Sequence, residues 1–431
     1  MNYARLPIVG KFYKKIKQKF DVLEKEISDV TQQNIELRFK FKKHNNEKIN
    51  VVFVCHRPAV WGSLKTVYEA MKADESFNVR IVTIPNKKQL PDLGLNHEVY
   101  ESEGAEVFWK GEDVISGYNY ETKEWIDLKL LKPDYVFFQQ PYNITRQEYF
   151  KSWNVAKYSK ICHVEYGYIS QKLIGIDCLP PDFVKNLSYL FIMHEQQRNW
   201  YTEYFNNIGS DAKMVLTGFP RFDSLSEYEN CDSEMWKHKK DESFRIIWTP
   251  RWCLNESNCH FMNYKDTLMD YAKKNKDVDF MFRPHPQAFL NYVAEGIISD
   301  TDLTNYCNEL QSMDNGILDK STDFLLNFYS SDCLITDYSS VVIEYFLTGK
   351  PIIYCKNDNS IVDNEGKFTD GFYFVRNWNE LENVINDLKN GIDPLYEKRM
   401  EIIKTEFYRP VEGAGNTIKN FIKQDFGYIE E

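Results

Sequence analysis

Short apolar runs alternate along most of this chain with segments of helical spacing. The runs are three to six residues long and rich in Val, Ile and Phe. They predict buried strands at 51–54, 79–84, 135–138, 160–164, 189–193, 245–248, 279–282, 333–335 and 351–354, with a further strand around 215. Strands separated by helices predict parallel sheets, and such sheets bind ligands beyond the carboxyl ends of their strands.

The alternation has two interruptions. Residues before 49 have the pattern of a helix, and a charged stretch from 227 to 242 lies between two halves that each repeat strand and helix. At 431 residues the chain also exceeds a single ordinary core. We therefore expect an α/β protein with a helical extension over 1–48, one Rossmann-like domain over 49–223, and a second over 224–431 that ends in helices.

The N-terminal extension is basic although the chain as a whole is acidic. It holds 12 Lys and Arg against 6 Asp and Glu, so its net charge of +6 leaves −17 for the remainder of a chain at −11. A basic amphipathic helix over 11–20 favours an anionic membrane surface, with a solvated helix as the alternative. Residues 21–41 could instead pair with a second copy, although the heptad signal is short. A homo-oligomer is therefore one expected partner.

Composition limits the expected location of the protein and its classes of partner. No apolar stretch approaches the roughly 20 residues of a membrane span, and the N-terminus lacks the apolar core of a signal peptide. Nine Cys without a paired CxxC pattern fit reduced thiols. We expect a cytoplasmic protein, peripheral on the inner face of the membrane if the extension binds there. The net negative charge argues against nucleic-acid binding.

Three strand ends in the second half carry groups suited to a diphosphate. Arg251 follows the strand at 245–248, and Arg283 and His285 follow the strand at 279–282. The strand at 333–335 runs into a polar turn before a helix over 341–347; the donor-binding candidates in this turn are Thr336, Asp337, Ser339 and Ser340. Guanidinium groups and a helix N-terminus suit phosphate oxygens, although Ser339 or Ser340 could simply cap the helix.

Strand ends in the first half supply candidates for the second substrate. Topology places His56, Trp61 and Gln139 near the same edge of the predicted sheet, although each alone is more often a loop residue. The strand at 160–164 runs into Glu165, Tyr166 and Gly167, where the glycine would permit a close approach or an unusual dihedral angle.

His163 and Glu165 are both able to accept a proton at this strand end. Because strand neighbours alternate faces, we expect only one of them to point outward, and we favour Glu165.

Metal binding is not expected. Cys253, Cys259 and His260 lie close in sequence, but a fourth ligand is not near them. We expect neither a metal nor an organic cofactor.

Four motifs together resemble a known family. The chain carries TPRW at 249–252, RPHP at 283–286 and TDYSS at 336–340, preceded by a GxPRxD pattern formed by Gly218, Pro220, Arg221 and Asp223. This order is similar to the CDP-glycerol glycerophosphotransferases, the cytoplasmic enzymes of teichoic-acid and capsule polymer synthesis. The segment 61–69 is also similar to family members, so the resemblance runs from about residue 50 to the C-terminus.

The resemblance implies a GT-B fold, in which two Rossmann-like domains face a central cleft. A CDP-alditol donor would bind mainly to the second domain, and a glycan or lipid-linked acceptor to the first. Arg283 and His285 match the family's Arg and its second catalytic His, while Ser339 and Ser340 match its diphosphate-binding turn. The last helix is expected to cross back, as in other two-domain transferases.

One position departs from the family. Members typically carry a His-Gly pair at the end of the first-domain strand, with the His as base, whereas this chain has Tyr166 and Gly167. Tyr is a poor base at neutral pH. Glu165 is therefore the expected base, with His285 as the other catalytic residue.

The predicted function is transfer of glycerol or ribitol phosphate from a CDP-alditol to a hydroxyl of a surface glycan or polymer, with release of CMP. The alternatives are a GT-B glycosyltransferase that uses a nucleotide-sugar and a non-catalytic member of a polymer-synthesis complex. The sequence leaves the alditol, the acceptor and the number of transfers open.

Overall fold

The computed structural model describes residues 7–89, 98–102, 104–169, 172–253, 259–321, 324–337, 339, 341–356 and 367–428. Side chains are not described for 7–14 and a few further positions within helices and strands. Within the described residues, no helix combines the length and the apolar character needed to cross a bilayer.

Unit 1 is the first of two compact units and takes in the described residues of Met1–Gly167, Gly175–Pro220 and Pro410–Glu431. Its strands are β1 Ile49–Cys55, β2 Phe77–Thr83, β3 Asn86–Gln89, β4 Glu98–Glu101, β5 Val114–Ser116, β6 Tyr118–Asn119, β7 Glu124–Trp125, β8 Tyr135–Phe138, β9 Lys160–Val164, β10 Tyr189–Ile192 and β11 Lys213–Leu216. Its first helices are α1 Pro7–His44, α2 Lys65–Lys72, α3 Ala105–Phe108, α4 Ser152–Val155, α5 Lys172–Asp177, α6 Pro181–Val184 and α7 Glu195–Ile208.

Unit 2 comprises the described residues of Tyr168–Ile174 and Arg221–Arg409. Its strands are β12 Phe244–Thr249, β13 Val278–Phe282, β14 Gly316–Leu318, β15 Cys333–Thr336, β16 Ile352–Cys355 and β17 Phe372–Val375. Its helices are α8 Phe261–Lys274, α9 Ala288–Ala294, α10 Asp300–Ser312, α11 Leu325–Ser330, α12 Val342–Phe346, α13 Trp378–Lys389 and α14 Tyr396–Glu406; the last helix of the chain, α15 Ala414–Phe426, belongs to unit 1.

Both units contain a parallel sheet with the strand order of a doubly wound fold. The sheet of unit 1 runs β11-β10-β9-β8-β1-β2-β5, and that of unit 2 runs β14-β13-β12-β15-β16-β17. All pairings within these two sheets are parallel. The order reverses between β1 and β8 in unit 1 and between β12 and β15 in unit 2. Ligands of such sheets bind at these reversal points, outside the carboxyl ends of the strands.

The inner strands of both sheets are buried on both faces, which explains why they are continuous apolar runs in the sequence. In unit 2 the core packs strand residues such as Ile246, Phe280 and Ile335 against α8 and α13. Trp248 stacks on Phe261 of α8, with ring centroids 5.6 Å apart. Burial of these large side chains stabilises the sheet that carries the candidate site.

Helix α1 is anchored to unit 1 by its C-terminal third. Ile35 and Phe39 are buried, and Phe39 packs on Phe426 of α15 with ring centroids 4.7 Å apart. Lys42 pairs with Asp134, whose side chain is fully buried and also accepts the backbone N–H of Asn50 at 2.8 Å. A buried ion pair of this kind fixes the position of the helix because separating it would leave a buried charge unpaired.

The predicted fold class is confirmed: the protein is α/β with two Rossmann-like sheets. All ten predicted strands are present within a few residues of the predicted ends, and 135–138 and 160–164 agree fully. The short edge strands β5, β14 and β17 were not predicted. Edge strands of three or four residues give too little apolar periodicity to be recognised from the sequence alone.

The predicted domain limits remain a prediction. The chain passes from unit 1 to unit 2 at Pro220–Arg221, close to the predicted limit at 223, but it also passes at three further points, after Gly167, Ile174 and Arg409. In agreement with the resemblance, α15 returns to unit 1. Lys160 of β9 donates to Asp425 of α15 at 2.8 Å, and this pair lies largely out of solvent.

Candidate active site

At the reversal point of the second sheet, the two neighbouring strands each end in a threonine. Thr249 ends β12 and Thr336 ends β15, and the Thr249 hydroxyl donates to that of Thr336 at 2.9 Å. The Thr336 hydroxyl in turn donates to the backbone carbonyl of Thr249, also at 2.9 Å. Both side chains are buried. Thr336 therefore holds two strand ends together, and its predicted contact with the donor remains a prediction.

Asp337 organises the loops beyond these strand ends. Its carboxylate accepts the backbone N–H of Arg251 through Oδ1 and that of His260 through Oδ2, the latter at 2.8 Å. The residue is only 2% exposed, and burial raises the pKa of its carboxyl group. Two backbone donors on one carboxylate fix the loop that carries Arg251. Direct donor binding by Asp337 remains a prediction.

Arg251 and His285 are electrostatic neighbours at this edge. Partial burial and the positive charge of Arg251 lower the pKa of His285. The imidazole Nδ1 accepts the backbone N–H of Gln287 at 3.2 Å, which leaves the proton of the neutral ring on Nε2. His285 is exposed. An exposed Nε2–H beside a guanidinium is a suitable donor pair for phosphate oxygens.

Arg283 lies at the predicted strand end, but its guanidinium has protein partners. Nη1 pairs with the buried carboxylate of Asp319 at 2.6 Å, and Nη2 donates to the carbonyl of Ser321 at 2.9 Å. The backbone N–H of Arg283 also donates to the carbonyl of Trp248. This geometry gives Arg283 a positioning role between β13 and the loop after β14. Its binding of a donor remains a prediction.

Three residues near Arg283 were not among the predicted site residues. The guanidinium groups of Arg221 and Arg283 lie over the ring of Phe324, at 5.4 and 5.0 Å from its centroid. Arg221 Nε also lies 3.4 Å from Oε1 of Glu344, a buried residue of α12 whose carboxyl pKa is raised by burial. The GxPRxD pattern pointed to Arg221, whereas no sequence signal marked Phe324 or Glu344.

The hydroxyl-rich turn precedes a shorter helix than predicted. Helix α12 runs Val342–Phe346, so it is one residue shorter at each end than the predicted helix over 341–347. The carbonyl of Ser339 accepts from the backbone N–H of Val342 at 3.5 Å, and Ser339 itself is half-buried. The predicted donor-binding residue Ser340 lies outside the described residues.

The reversal point of the first sheet carries a polar cluster. The side chain of Gln139, after β8, accepts the backbone N–H groups of His56 and Arg57, both at 2.9 Å, and donates to the carbonyl of Arg57. His56 Nε2 lies 2.9 Å from Oε1 of Gln140, so this nitrogen carries the proton. Burial and the nearby charge of Arg146 lower the pKa of His56 to about 4. The cluster holds a neutral imidazole at the strand end.

The expectation that Glu165 points outward while His163 does not is wrong. Both side chains are buried, at 1% and 0% exposure, and His163 Nε2 lies 3.7 Å from Glu165 Oε2. Residues two apart in a strand lie on the same face, and only adjacent residues alternate. Tyr201 also donates to Glu165 Oε1 at 3.3 Å. The role of Glu165 as base remains a prediction.

Tyr166 and Gly167 follow Glu165 at the end of β9, and the structure contradicts the expectation for Gly167. The Tyr166 and Tyr142 hydroxyls lie 2.9 Å apart, and burial raises the pKa of Tyr166, which disfavours a tyrosinate at neutral pH. Gly167 was expected to permit a close approach of the backbone or an unusual dihedral angle. This is wrong, because its φ is not in the left-handed region and a Cβ there would meet open space.

Trp61 belongs to the core of unit 1. It is 9% exposed and packs edge-on against Phe53 and Trp109, with ring centroids 6.5 and 5.5 Å apart. The residue lies in the six-residue 3-10 helix Pro58–Ser63, just before α2. Its packing supports the loop that begins with His56, and a direct acceptor contact remains a prediction.

Among the residues that the structure describes, no group of three or more His, Cys, Asp and Glu side chains could hold a metal ion. Of the residues considered in the sequence, Cys253 donates to Glu295 and Cys259 to the carbonyl of Arg251. Both thiols therefore have protein partners.

Two parallel Rossmann-like sheets, each with polar groups at its reversal point, define a protein of the GT-B class. The chain belongs to the CDP-glycerol:poly(glycerophosphate) glycerophosphotransferase family, whose sequence model matches residues 35–408. The family resemblance of the four motifs is thereby confirmed.

Individual relatives are distant. GgaB, the minor teichoic acid biosynthesis protein of Bacillus subtilis (strain 168), is 24% identical over 261 residues, which is 50% of this chain and 27% of GgaB. The chain thus spans about a quarter of the length of that curated relative.

Solved structures of the same fold include the wall teichoic acid polymerase TagF, at 15% identity and a TM-score of 0.51 over 98% of this chain and 99% of the TagF chain. MnaA of S. aureus, solved with UDP, is 14% identical with a TM-score of 0.58 over 89% and 98% of the two chains. At these identities the likeness concerns the fold.

Proposed function

We propose that this protein transfers glycerol phosphate or ribitol phosphate from a CDP-alditol to a hydroxyl of a surface glycan or polymer, with release of CMP. The observation that carries the proposal is family membership over residues 35–408, which include the strand ends of both sheets. Teichoic acid appears in the names of both GgaB and TagF, and a further TagF structure was obtained with CDPG.

The donor diphosphate would bind at the reversal point of unit 2. Arg251 would donate charge-assisted hydrogen bonds from its guanidinium, and His285 would donate a neutral hydrogen bond from Nε2–H. Both kinds of hydrogen bond would strengthen as negative charge builds on the departing CMP. Asp337 supports this role indirectly because it fixes the backbone of Arg251. Arg283 and Ser339 would line the same edge.

The reaction would be an in-line displacement at the β-phosphorus. A bond forms between the acceptor oxygen and the β-phosphorus, and the bond from this phosphorus to the bridging oxygen breaks. CMP departs with that oxygen and the electron pair of the broken bond. Positioning and charge stabilisation can provide most of the rate enhancement in phosphoryl transfer.

The proton of the acceptor hydroxyl needs a base. We assign this role to Glu165, with acceptor binding in unit 1 through His56, Gln139 and Tyr166. Glu165 is buried beside His163 and Tyr201, so the proton would reach it only where substrate binding opens the strand end. The acceptor would be a lipid-linked or glycan hydroxyl at the inner face of the membrane, where the protein would act as a peripheral enzyme.

The test is calorimetric titration of the full chain with CDP-glycerol, CDP-ribitol, CMP and UDP-N-acetylglucosamine, followed by assay of CMP release with polymer acceptors. We expect one CDP-alditol to bind more tightly than UDP-N-acetylglucosamine. Arg251→Ala and His285→Ala should each weaken donor binding or turnover about 10- to 100-fold, since a hydrogen bond to a charged group contributes about 1.5–3 kcal/mol. Glu165→Gln should keep donor binding and lose turnover.

Arg409→Ala is the matched control because it removes an exposed guanidinium of unit 2 that does not follow a strand of the sheet. It should bind the donor as the wild type does. Preference for UDP-N-acetylglucosamine would replace the proposal with a nucleotide-sugar glycosyltransferase. Tight donor binding without turnover of any acceptor would indicate a non-catalytic member of the family.

A further inference from the structure

Helix α1 exposes a long apolar stripe. It is a single helix of 38 residues, and eight of its large hydrophobic side chains are exposed by 39% or more: Ile16, Phe20, Val22, Leu23, Ile27, Val30, Leu37 and Phe41. Its other face is the one that is anchored, through Ile35, Phe39 and Lys42. Among the described residues of a single chain, this stripe is therefore uncovered.

The stripe has the spacing of a coiled coil. Seven of the eight exposed side chains recur at intervals of four and three, so that Phe20, Ile27 and Phe41 occupy a positions of a heptad while Ile16, Leu23, Val30 and Leu37 occupy d positions. Val22 alone lies outside, at a c position. The repeat covers 26 residues, nearly four heptads, which is the length at which the pattern indicates a coiled coil.

One a position is polar. Asn34 lies between Ile27 and Phe41 in the repeat and is exposed in the single chain. A lone Asn at an a position favours two strands in a parallel, in-register arrangement, because only that arrangement sets the two amides opposite each other. In an antiparallel pair, a positions meet d positions, and Asn34 would face an apolar side chain.

The stripe is large enough for a stable pair. If each of the seven side chains exposes roughly 100 Å², two copies would remove on the order of 1,400 Å² from water, which is within the range of specific interfaces. The charge along the stripe argues against an anionic membrane as the occupant. Along the stripe, residues 16–41 hold five Asp and Glu and five Lys and Arg, so it lacks the net positive charge that would draw it to an anionic surface.

We propose that α1 pairs with α1 of a second copy of this chain as a parallel two-stranded coiled coil through this a/d face. The dimer follows from the stripe alone and does not depend on the proposed activity. The coiled coil would join the unit 1 of one copy to the unit 1 of the other. In each copy, the C-terminal third of α1 is anchored to unit 1.

The experiment measures the mass of the full chain in solution by light scattering, at about 20 µM. We expect twice the 51.2 kDa of one chain. Val30→Lys should reduce the mass to one chain, since it sets two ammonium groups at a d layer. Val22→Lys is the matched control: the same residue type, with the same 56% exposure, outside the a/d face. It should stay dimeric, and Asn34→Leu should admit species larger than a dimer.

Orientation is tested by disulfide trapping in a Cys231→Ser background, which removes the exposed native thiol. Leu37→Cys should cross-link two chains, and Glu36→Cys, one residue away and off the a/d face, should not. A wild type of single-chain mass overturns the proposal. If that monomer floats with vesicles of 30% anionic lipid and Val30→Lys does not, the stripe binds membranes instead. A dimer that survives Val30→Lys places the interface elsewhere.

Discussion

At the scale of single residues, polar side chains at strand ends are mostly engaged with the protein itself. Thr336 and Asp337 hold loops, Arg283 pairs with Asp319, and Gln139 secures the backbone of His56. Such contacts fix the loop that carries Arg251 and so the surroundings of the exposed His285. Preorganisation of this kind is what a site for phosphate transfer requires, because the donors must be aligned before charge develops.

His56 should make the stability of unit 1 depend on pH. Its pKa is lowered from 6.5 to about 4 in the folded state. Between these values the unfolded chain binds the proton and the folded chain does not, so the free energy of unfolding should fall by about 1.4 kcal/mol per pH unit as pH decreases. Urea unfolding at pH 7, 6 and 5 should show this extra slope in the wild type relative to His56→Gln. An equal dependence of the free energy of unfolding on pH in the two proteins would contradict the prediction.

At the scale of elements, close packing decides where a helix belongs. Helix α15 follows unit 2 in the sequence but packs on α2 of unit 1. Gly415 permits this approach, since a Cβ there would lie 2.5 Å from the backbone carbonyl oxygen of Thr66. That carbonyl cannot move as a flexible side chain would. The glycine is therefore required by the contact between the two helices.

Gly415→Ala should destabilise the protein by about 1–3 kcal/mol, because overpacking against rigid backbone exceeds the gain of roughly 1 kcal/mol in helix propensity. Thermal and urea unfolding measure the change. Gly167→Ala is the control, since its Cβ would meet open space. That variant should stay within about 0.5 kcal/mol of the wild type. An equally stable Gly415→Ala would show that α2 and α15 separate without cost.

At the scale of the whole molecule, chain order and compact units differ. The chain passes four times between the units, and the final segment Pro410–Glu431 returns to unit 1. There Asp425 accepts hydrogen bonds from Lys160, Tyr135 and Tyr189, so a C-terminal residue completes the environment of β8, β9 and β10. Stability of the first sheet thus depends on the last helix.

Deleting residues 410–431 should destabilise unit 1 more than unit 2. The deletion uncovers Phe39 and leaves Lys160, a buried cation, without its carboxylate partner. Hydrogen exchange should accelerate in β8 and β9 while β12 and β15 keep their protection. Faster exchange confined to the second sheet would instead assign the segment to unit 2, as the predicted limits of 224–431 would have it.

Much of the fold and part of the site could be predicted from the sequence. Strand runs at 135–138 and 160–164 were located to the residue because both faces of those strands are buried, which gives a continuous apolar run. The rule that ligands bind at carboxyl ends then brought Arg251, His285 and His56 to the strand ends at the two reversal points. Phe324 and Glu344 were missed because they reach this region only through tertiary contacts.

The sequence by itself determined the α/β class, the strand ends that carry polar groups, and the family, since all three depend on local pattern and short motifs. Tertiary structure alone decided that Glu165 is buried beside His163, that Arg283 is paired, and that α15 belongs to unit 1. Within the part of the chain that the structure describes, it also left the a/d face of α1 exposed. These outcomes depend on contacts between residues far apart in the chain, and no local pattern specifies which distant partner a side chain will meet.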